Sequence, residues 1–597
     1  MSVSSLPFLH GALAAVLPKL AAWRRDFHAH PEAGWTEFRT AALIIRRLRE
    51  LGYAIRMGEA ACASDRRMGV PSSAVLAAAR ERALEHGADA ELVAGMGDGY
   101  TGFWADLDCG PGPVTAFRFD MDCNEVAECA EESHRPVREG FASRWPGLMH
   151  ACGHDGHAAV GLGLAEVLVS IRRHLRGRIR LIFQPAEEGA RGALPMSEAG
   201  AVDGVDVLFG FHIGFKAEGP GSLICGTQGF LATTKRDVLF SGVPAHAGAA
   251  PEEGKDALLA ACSAVVNLHA ISRNGKGGTR IAVGRLEGGE ARNVIPASAR
   301  LFMETRGETT ELDAYMTAES ERILRASADL WGCACEWRTV GNSAGGGSSP
   351  ELARLIATVA EAMGGWKTVI PMSGFGATED FACLMSRVQA SGGLASYLQV
   401  GTDRAAGHHS DRFDFDETCL GRALELLARL AVRMAGGGQE DTETETESDM
   451  EFLDEVVRRK GIHVQLWLEG EDGEGFGRGR VELLQLVDEL GSLSKAAKQL
   501  GMSYRGAWGK IKKAERIAGE TLVDASGTKR DGYSLTPAGR ELVQRFQQWY
   551  ADVESFAKKR AEALKDYLVK NEKVSSKLYK VTFGGENWDG LVKALES

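Results

Sequence analysis

The stretch from Met149 to Glu188 reads MHACGHDGHAAVGLGLAEVLVSIRRHLRGRIRLIFQPAEE. It contains a helical stretch, HAAVGLGLAEVLVSIRRHL, followed by RIRLIFQPAEE, an apolar run of the length that is typical of a buried β-strand. Two more such runs, VTAFRFDMD and DVLFGFHIG, lie before and after it and alternate with helical stretches. This alternation predicts an α/β fold, in which a sheet carries helices on its faces.

Polar side chains cluster where each of these runs ends. FDMD ends the first run, QPAEE ends the second and FHIG ends the third. Open α/β sheets place their binding sites at the carboxyl ends of the strands. We therefore expect the functional site of this chain at that edge of the sheet.

A second unit interrupts this pattern between residues 231 and 343. It contains the strand-like runs KRDVLFSGV, RIAVGRLEGG and SARLFMETRG and two helical stretches, the first of which begins at Ala257. The glycine-rich AGGGSSP that begins at Ala344 is typical of a hinge back to the first unit. We therefore predict a catalytic domain in two parts, 1–230 and 344–437, that flank an inserted α+β domain.

Length and composition limit the class of protein. The 597 residues exceed what one hydrophobic core can hold, and 44% hydrophobic with 25% charged residues is ordinary for globular protein. The longest apolar run, ALLAACSAVVNLHAI, is shorter than the roughly 18 residues that a membrane helix needs. The N-terminus lacks the basic head of a secretion signal, and the eleven scattered cysteines are typical of a reducing compartment. We expect a cytoplasmic protein without a membrane segment.

An acidic segment marks a domain border. The run QEDTETETESD alternates acidic residues with threonine and reaches Met450 without an apolar residue. Such a run cannot bury a core, so residues 438–450 are predicted to be a solvated linker. A smaller module at 451–570 follows, and then a tail at 571–597 to which we assign no role.

Side chains that suit a metal ion lie at the predicted strand ends and at one helix start. They are Cys152, His154, the pair Glu187 and Glu188, His212, and the pair His408 and His409. A single histidine is far more often a core or surface residue than a ligand. A thiolate, imidazoles and a carboxylate together suit zinc, manganese or nickel, and a bridging ligand lets them hold two ions. A leftover carboxylate of the pair could carry a proton from water to a leaving nitrogen.

Seven motifs, in this order and spacing, resemble one enzyme family. They are RRDFHAHPE, MDCNEV, MHACGHDGHAA, LIFQPAEEGARGA, AHAGAAPEEGKDALLAA, ARNVIPASA and HHSDRFDFDE. The series is similar to the metal-dependent amidohydrolases, which include hippurate hydrolase, aminoacylase, auxin-conjugate hydrolases and carboxypeptidase G-like enzymes. It covers about residues 20 to 435. The helical segment from Ser64 to Gly99 resembles the branch of the p-aminobenzoyl-glutamate hydrolases.

This resemblance implies a metal centre and its chemistry. It implies a di-metal hydrolase domain with two manganese or zinc ions per protomer, held by Cys152, His154, Glu188, His212 and His409. It implies that Glu187 is the general acid/base and that Asp122 orients the centre, although a strand-end aspartate can also cap a loop. Asp155 and His157 could support the ligands, and Asp155 could equally cap the helix.

The resemblance also implies a substrate and a second protomer. The substrate would be an N-acyl amino acid, foremost p-aminobenzoyl-glutamate. The inserted domain would serve as lid and dimerisation domain, in a homodimer or in a pair with a related chain. Three of its residues, His246, Arg292 and Asn293, would contact the substrate, although a turn histidine and a loop asparagine can also be purely structural.

The module after the linker has the pattern of a winged helix-turn-helix. The run VELLQLVDELGSLSKAAKQLGMSYRGAWGKIKKAERIAG gives a helix, a break at Gly491, a short helix, a turn at Gly501 and a longer helix. TLVDASGTKRDGYSLT then predicts two short strands around a wing loop. Between Ser494 and Arg530 nine basic residues face three acidic ones, a local charge of +6 against −12 for the chain.

The same run resembles the winged helix of ModE-type regulators over about residues 461 to 570. That resemblance places a recognition helix at Tyr504–Ile517 and a dimerisation helix from Pro537 onward. The residues near duplex DNA would be Ser503, Tyr504, Arg505, Trp508, Lys512, Lys529 and Arg530. Trp508 could equally be a core residue.

Three interpretations of the whole chain remain. It is a working amidohydrolase whose DNA-binding module couples it to transcription, or a regulator whose hydrolase-like domain senses a ligand. In the third, the module serves interaction and has no DNA target. The full ligand set together with Glu187 favours the first, because a sensor has no need of a general base.

Overall fold

The structure is a computed structural model that describes residues 6–435, 467–469, 475–500, 502, 504–524 and 533–550. The chain divides into two compact units, Met1–Arg458 and Arg459–Ser597. The predicted linker at 438–450 and the predicted tail at 571–597 lie outside the described residues. Within the described part of the chain, no helix is long and apolar enough to cross a membrane.

An eight-stranded sheet forms the centre of the first unit. In spatial order its strands are β1 Ala54–Met57, β2 Phe103–Asp108, β4 Arg178–Gln184, β3 Val114–Asp120, β5 Val207–Glu218, β15 Leu394–Thr402, β6 Ser222–Ile224 and β13 Thr368–Ile370. The four central strands β4, β3, β5 and β15 run parallel. Three of them are the runs that the sequence predicts as strands, and the α/β prediction is confirmed. Their residues are almost all buried, because parallel strands are covered on both faces.

Two hydrophobic cores lie on the two faces of this sheet. Phe117 and Phe209 belong to one core, and their sheet neighbours Ala116 and Leu208 belong to the other. The helices of this part are α1 Pro7–Ala29, α2 Phe38–Glu50, α3 Ser73–Glu85, α4 Ala90–Gly95, α5 Arg135–Arg138, α6 His154–Ser170, α7 Ala193–Glu198, α10 Pro350–Met363, α11 Phe381–Ala390 and α12 Thr418–Ala435. Short 3-10 turns lie at Gly58–Ala61, Ser64–Arg66 and Arg172–His174.

Helix α6, which the opening stretch of sequence forms, is buried from His154 to Leu168. It packs so closely on the sheet that a side-chain carbon at Gly161 would lie 2.7 Å from the Phe119 ring. The close approach requires glycine at this position. The buried helix therefore delivers its first residues to the carboxyl edge of the sheet at a fixed depth.

A separate antiparallel sheet forms the inserted part of the first unit. Its spatial order is β11 Ala334–Ser343, β8 Ala232–Ser241, β10 Ser298–Gly307 and β9 Thr279–Gly288. Two helices, α8 Ala257–His269 and α9 Thr310–Leu330, pack on one face and share a core with Val238 and Leu301. Every second residue of β8 is buried, as expected for a sheet with one covered face. A 3-10 turn lies at Pro251–Glu253.

Three short strands form a further sheet in the order β12, β7, β14. They are β7 Thr227–Phe230, β12 Gly346–Gly347 and β14 Ser373–Gly374. Because β12 follows β11 and β7 precedes β8, this sheet lies where the chain enters and leaves the inserted part. The predicted hinge AGGGSSP thus contains strand β12.

The second unit contains the predicted helix-turn-helix. Its helices are α13 Arg478–Leu490, α14 Leu493–Gln499 and α15 Tyr504–Ala518, and the residues 537–550 are also helical. The strand pairs are β16 Trp467–Glu469 with β17 Gly475–Gly477, and β18 Val523–Asp524 with β19 Ser534–Leu535. Gly491 has a left-handed φ of 58°, which allows the break between α13 and α14. The buried Ala497 lets α14 pack in the core with Val487 and Ile511.

Candidate metal centre

The carboxyl edge of the central sheet brings the predicted site residues of the first part together. They are Asp122 after β3, Glu187 and Glu188 after β4, His212 in β5, Cys152 and His154 at the start of α6, and His409 in the loop between β15 and α12. Five different elements therefore contribute to one site. This is the position at which open α/β sheets hold their ligands.

The ligand atoms form three overlapping groups, in each of which all atoms lie within 4.8 Å of one another. The groups are Cys152 with His154 and His212, Cys152 with Glu188 and His409, and His154 with Glu187 and Glu188. The Cys152 sulfur belongs to two groups and lies 3.5 Å from Nε2 of His212. Such a shared thiolate is suited to bridge two ions, and the mixed N, O and S donors suit zinc or manganese.

Hydrogen bonds fix which histidine nitrogens face the site. Nδ1 of His154 donates to the main-chain oxygen of Asp122 and Nδ1 of His212 donates to that of Ile213, both at 2.8 Å. Nε2 of each ring is therefore left as the lone-pair nitrogen that a metal requires. Among the described residues, Nε2 of His154 and Oε1 of Glu188 are buried without a hydrogen-bond partner. Buried polar atoms rarely lack a partner, so the residues present fit a divalent metal centre.

Asp122 fixes the turn that carries the two adjacent glutamates. One carboxylate oxygen accepts from the N–H of Glu187 at 3.0 Å and the other accepts from that of Glu188 at 2.9 Å. Asp122 is fully buried, and its main-chain oxygen also holds His154. It therefore caps a loop, and through that cap it sets the positions of three site residues.

Glu37 supports the same turn from the other side, and no sequence motif identified it. Its carboxylate accepts from the N–H of Ala186 at 2.8 Å and from the Thr101 hydroxyl at 2.6 Å. Ala186 has a left-handed φ of 48°, which costs a residue with a Cβ about 1–2 kcal/mol. Burial and the nearby Asp122 charge raise the pKa of Glu37 to about 8. Its place in the chain, directly before helix α2, gives no signal of this long-range contact.

The two adjacent glutamates have opposite electrostatic environments. Burial and the neighbouring carboxylates, Glu379 foremost, raise the pKa of Glu187 well above its usual value. For Glu188 burial acts in the same direction, but the hydrogen bond from His409 and the charge of His154 outweigh it and bring its pKa to about 2. A pair whose pKa values are pushed apart can divide acid/base and ligand roles.

A buried ionic cluster behind Glu187 was also missed. Arg118, fully buried in β3, donates to Asp120 at 2.6 Å, to Glu379 at 2.9 Å and to Gln184 at 2.8 Å. Tyr397 donates to the other Glu379 oxygen at 2.7 Å. The cluster places carboxylates beside Glu187. The sequence did hold a signal for it, because Arg118 is the one charged residue inside the apolar run VTAFRF.

Three neighbours of the ligands are occupied by other bonds. Nδ1 of His157 donates to Asp120 at 2.5 Å and its Nε2 accepts from the N–H of Ile213 at 3.0 Å, so the ring supports β5 beside His212. Asp155 accepts from Arg24 and His28, each at 2.8 Å, and anchors α6 to α1. His408 contacts Ile213 and Arg404 with its two nitrogens, which leaves His409 as the candidate ligand of that pair.

The predicted substrate residues of the inserted part lie together but apart from the groups of ligand atoms. His246, Arg292 and Asn293 are all exposed, and the main chain joins their loops between Ala247 and Asn293. Nδ1 of His246 accepts from the N–H groups of Gly248 and Ala249 in its own turn. Within the described residues no hydrogen bond or ion pair connects these three side chains to the metal centre.

The predicted DNA-contact residues are described in part. Ser503, Lys529 and Arg530 lie outside the described residues, whereas Tyr504, Arg505 and Lys512 are exposed on α15. Trp508 is half-buried, with its ring centroid 6.1 Å from that of Tyr533 and the Lys512 ammonium 4.7 Å from its centroid. The packing favours a core role for Trp508 over a DNA contact.

Comparisons with known proteins match both units. The model of Peptidase family M20/M25/M40 matches residues 116–433. The chain is 46% identical over 420 residues to one of the chains of p-aminobenzoyl-glutamate hydrolase from Escherichia coli, with 70% of this chain and 96% of that protein covered. It is 44% identical over 429 residues to indole-3-acetyl-aspartic acid hydrolase of Enterobacter agglomerans, with 72% and 98% covered. The crystal structure of aminobenzoyl-glutamate utilization protein from Klebsiella pneumoniae is similar at a TM-score of 0.61 and 39% identity, over 71% of this chain and 98% of that one.

A second model, for the bacterial regulatory helix-turn-helix proteins of the lysR family, matches residues 479–540. The expectation of a ModE-type module is therefore not supported. The pattern on which that expectation rested, a helix followed by a short helix, a turn and a basic helix, is common to many DNA-binding modules and does not separate them. The comparison gives the chain a C-terminal helix-turn-helix DNA-binding domain of the lysR type.

Proposed function

The chain belongs to peptidase family M20/M25/M40, and from this premise we propose that it cleaves the amide bond of N-acyl amino acids. The proposed substrates are conjugates of acidic amino acids, foremost p-aminobenzoyl-glutamate. The names of two relatives support this choice, because they are hydrolases of an acyl-glutamate and an acyl-aspartate and share 46% and 44% identity with the chain.

One observation carries the proposal. The ligand groups that share Cys152 lie at one sheet edge, with the carboxyl of Glu187 in the group next to them. We propose that Cys152, His154, Glu188, His212 and His409 hold two divalent ions, manganese or zinc. When bound, such ions act as Lewis acids that polarise a carbonyl and lower the pKa of water.

Glu187 is the proposed acid/base because its environment favours proton exchange near neutral pH. Its raised pKa allows it to take the proton of the attacking water and to give a proton to the amide nitrogen as the C–N bond breaks. Water adds to the carbonyl carbon, so the products are a carboxylic acid and the free amino acid. Asp122 holds the main chain of Glu187 during both transfers.

The inserted sheet would complete the substrate site of a second protomer. His246, Arg292 and Asn293 are exposed on joined loops and have no contact with their own metal centre within the described residues. We propose that they reach the substrate of a partner protomer, in a homodimer or in a pair with a related chain. The exposed basic face of α15 would bind duplex DNA and couple the enzyme to transcription.

The test is an assay of the purified full-length chain, loaded with manganese or zinc, against p-aminobenzoyl-glutamate, hippurate and a panel of N-acyl amino acids. We expect p-aminobenzoyl-glutamate to have the highest kcat/KM. A preference for hippurate would contradict the proposed substrate. If no amide were hydrolysed with either metal and the same amides still bound, the ligand-sensing regulator would replace the enzyme.

A further inference from the structure

One lysine of the inserted sheet approaches the metal centre. Lys235 lies in β8 and pairs with Gly341 of β11. Its Cδ is 3.2 Å from the position that a side-chain carbon on Gly341 would occupy, and that position also abuts the main-chain oxygen of Gly189. Because Gly189 follows Glu188 directly, the lysine stem runs beside the loop that carries both adjacent glutamates.

The ammonium group of Lys235 has no partner among the described residues. The side chain is half-buried, and no hydrogen bond or ion pair there involves it. Its cross-strand neighbour Glu304 pairs with Arg306 at 2.8 Å. The charge is felt at the metal centre: the bond to Glu188 raises the pKa of His409, and Lys235 acts against that rise. A half-buried cation beside a site for divalent cations is unfavourable unless an anion accompanies it.

A second cation near this loop is already committed to the protein. Arg191 donates through Nε to the main-chain oxygen of Glu188 at 2.9 Å and through Nη1 to that of Gly69 at 3.2 Å. These two bonds tie the glutamate loop to the segment before α3. Arg191 therefore has a structural task, whereas Lys235 is free to receive a ligand.

We propose that Lys235 binds the side-chain carboxylate of an acidic amino acid in the substrate. The inference rests on the proposed function, because it requires that the scissile amide lies at the metal centre. Lys235 would then make acyl-glutamates and acyl-aspartates better substrates than acyl conjugates of neutral amino acids. A flexible lysine can reach a carboxylate at either chain length, which accounts for one site serving both.

The first test compares two substrates that differ only in that carboxylate, p-aminobenzoyl-glutamate and p-aminobenzoyl-alanine. In the full-length, manganese-loaded chain, we expect Lys235→Met to lower kcat/KM for the glutamate conjugate about 10–100-fold, mainly through KM. The alanine conjugate should change by less than about 3-fold. Lys235→Arg should restore most of the preference. Lys276→Met, an exposed lysine in the loop before β9, is the matched control and should alter neither substrate.

Equal losses for both substrates would overturn the proposal, since Lys235 would then bind the α-carboxylate that both share. An unchanged glutamate preference in Lys235→Met would also overturn it, while the proposed function would stand.

A binding measurement separates this proposal from the proposed function. Calorimetric titration of both amides into Glu187→Gln, with and without Lys235→Met, measures affinity where hydrolysis is blocked. Tighter binding of the glutamate conjugate that Lys235→Met abolishes supports the subsite, even if the parent chain hydrolyses no amide. Equal affinity for the two amides, or no affinity for either, would overturn it.

Discussion

The carboxyl edge of the central sheet and the loops of the inserted sheet hold their site residues in different ways. At the sheet edge, Asp122 and Glu37 bond to the main chain of the glutamate turn, and each candidate histidine of the buried group has one nitrogen fixed by a carbonyl. In the inserted part, His246 is exposed and bonds only within its own turn. The metal edge is therefore preorganised within one chain, whereas the loops present their residues outward. Five changes test this difference, from the largest expected effect to the smallest.

Cys152→Ala should abolish the function of the sheet edge. The thiol is shared by two ligand groups, and a methyl group cannot replace a thiolate ligand. We expect metal content and amide hydrolysis to disappear together, measured by elemental analysis and by assay. Cys225→Ala, which removes another buried thiol outside the ligand groups, is the control. Full metal content and turnover in Cys152→Ala would exclude this residue from the centre.

Glu187→Gln should separate catalysis from metal binding. The amide has nearly the volume of the carboxyl but cannot accept the proton, so hydrolysis should fall by at least about 100-fold. The metal content should persist, and binding of duplex DNA should persist as well. Glu188→Gln is the matched comparison, and we expect it to lose metal. Normal turnover in Glu187→Gln would rule out the proton-transfer role.

Glu37 tests whether the preorganisation depends on a residue remote in sequence. Glu37→Ala leaves the N–H of the left-handed Ala186 without its acceptor, so we expect metal affinity to fall about 10–100-fold. Glu37→Gln should retain most of the affinity, because the amide oxygen can accept from Ala186 while its N–H donates to the Thr101 hydroxyl. Metal affinity measured by competition with a chelator decides between them. Equal loss in both variants would mean that the carboxylate charge matters rather than the geometry.

His246 tests whether the exposed loops complete a partner's site. We expect His246→Ala to lower kcat/KM by roughly 10-fold or more, without loss of metal, as is usual when one substrate hydrogen bond is removed. Unfolding and refolding it together with Glu187→Gln should restore part of the activity, because a mixed dimer contains one site with both intact residues. If mixing restored nothing although mixed dimers formed, His246 would act within its own chain.

Arg505 extends the comparison to the second unit, where the smallest effect is expected. It is exposed on α15, so Arg505→Ala should weaken DNA binding to a similar degree at all sequences. The slope of log affinity against log salt should decrease by about 1 if this residue neutralises one phosphate. Fluorescence anisotropy of the full-length chain over a range of salt concentrations measures both. Binding of the parent chain that ignores salt would instead favour an interaction module.

The sequence was most informative where chemistry and local pattern coincide. The runs ending in FDMD, QPAEE and FHIG are β3, β4 and the first part of β5, and the polar residues at their ends meet at one edge. The order of helices in the second unit also follows from local signals, such as the break at Gly491. Local signals did not identify the type of DNA-binding module, because unrelated families share the same order of helices.

The sequence by itself determined the α/β alternation, the interruption by a second sheet and the kinds of side chain available for a metal. These depend on periodicity and residue type over short windows. Only the tertiary structure decided between His408 and His409, since the choice depends on which ring nitrogens Ile213 and Arg404 occupy. It alone showed that Glu37, far from Ala186 in sequence, supports the glutamate turn. It alone gave Glu187 and Glu188 opposite pKa shifts, because desolvation and neighbouring charges act through space between residues that the chain order keeps apart.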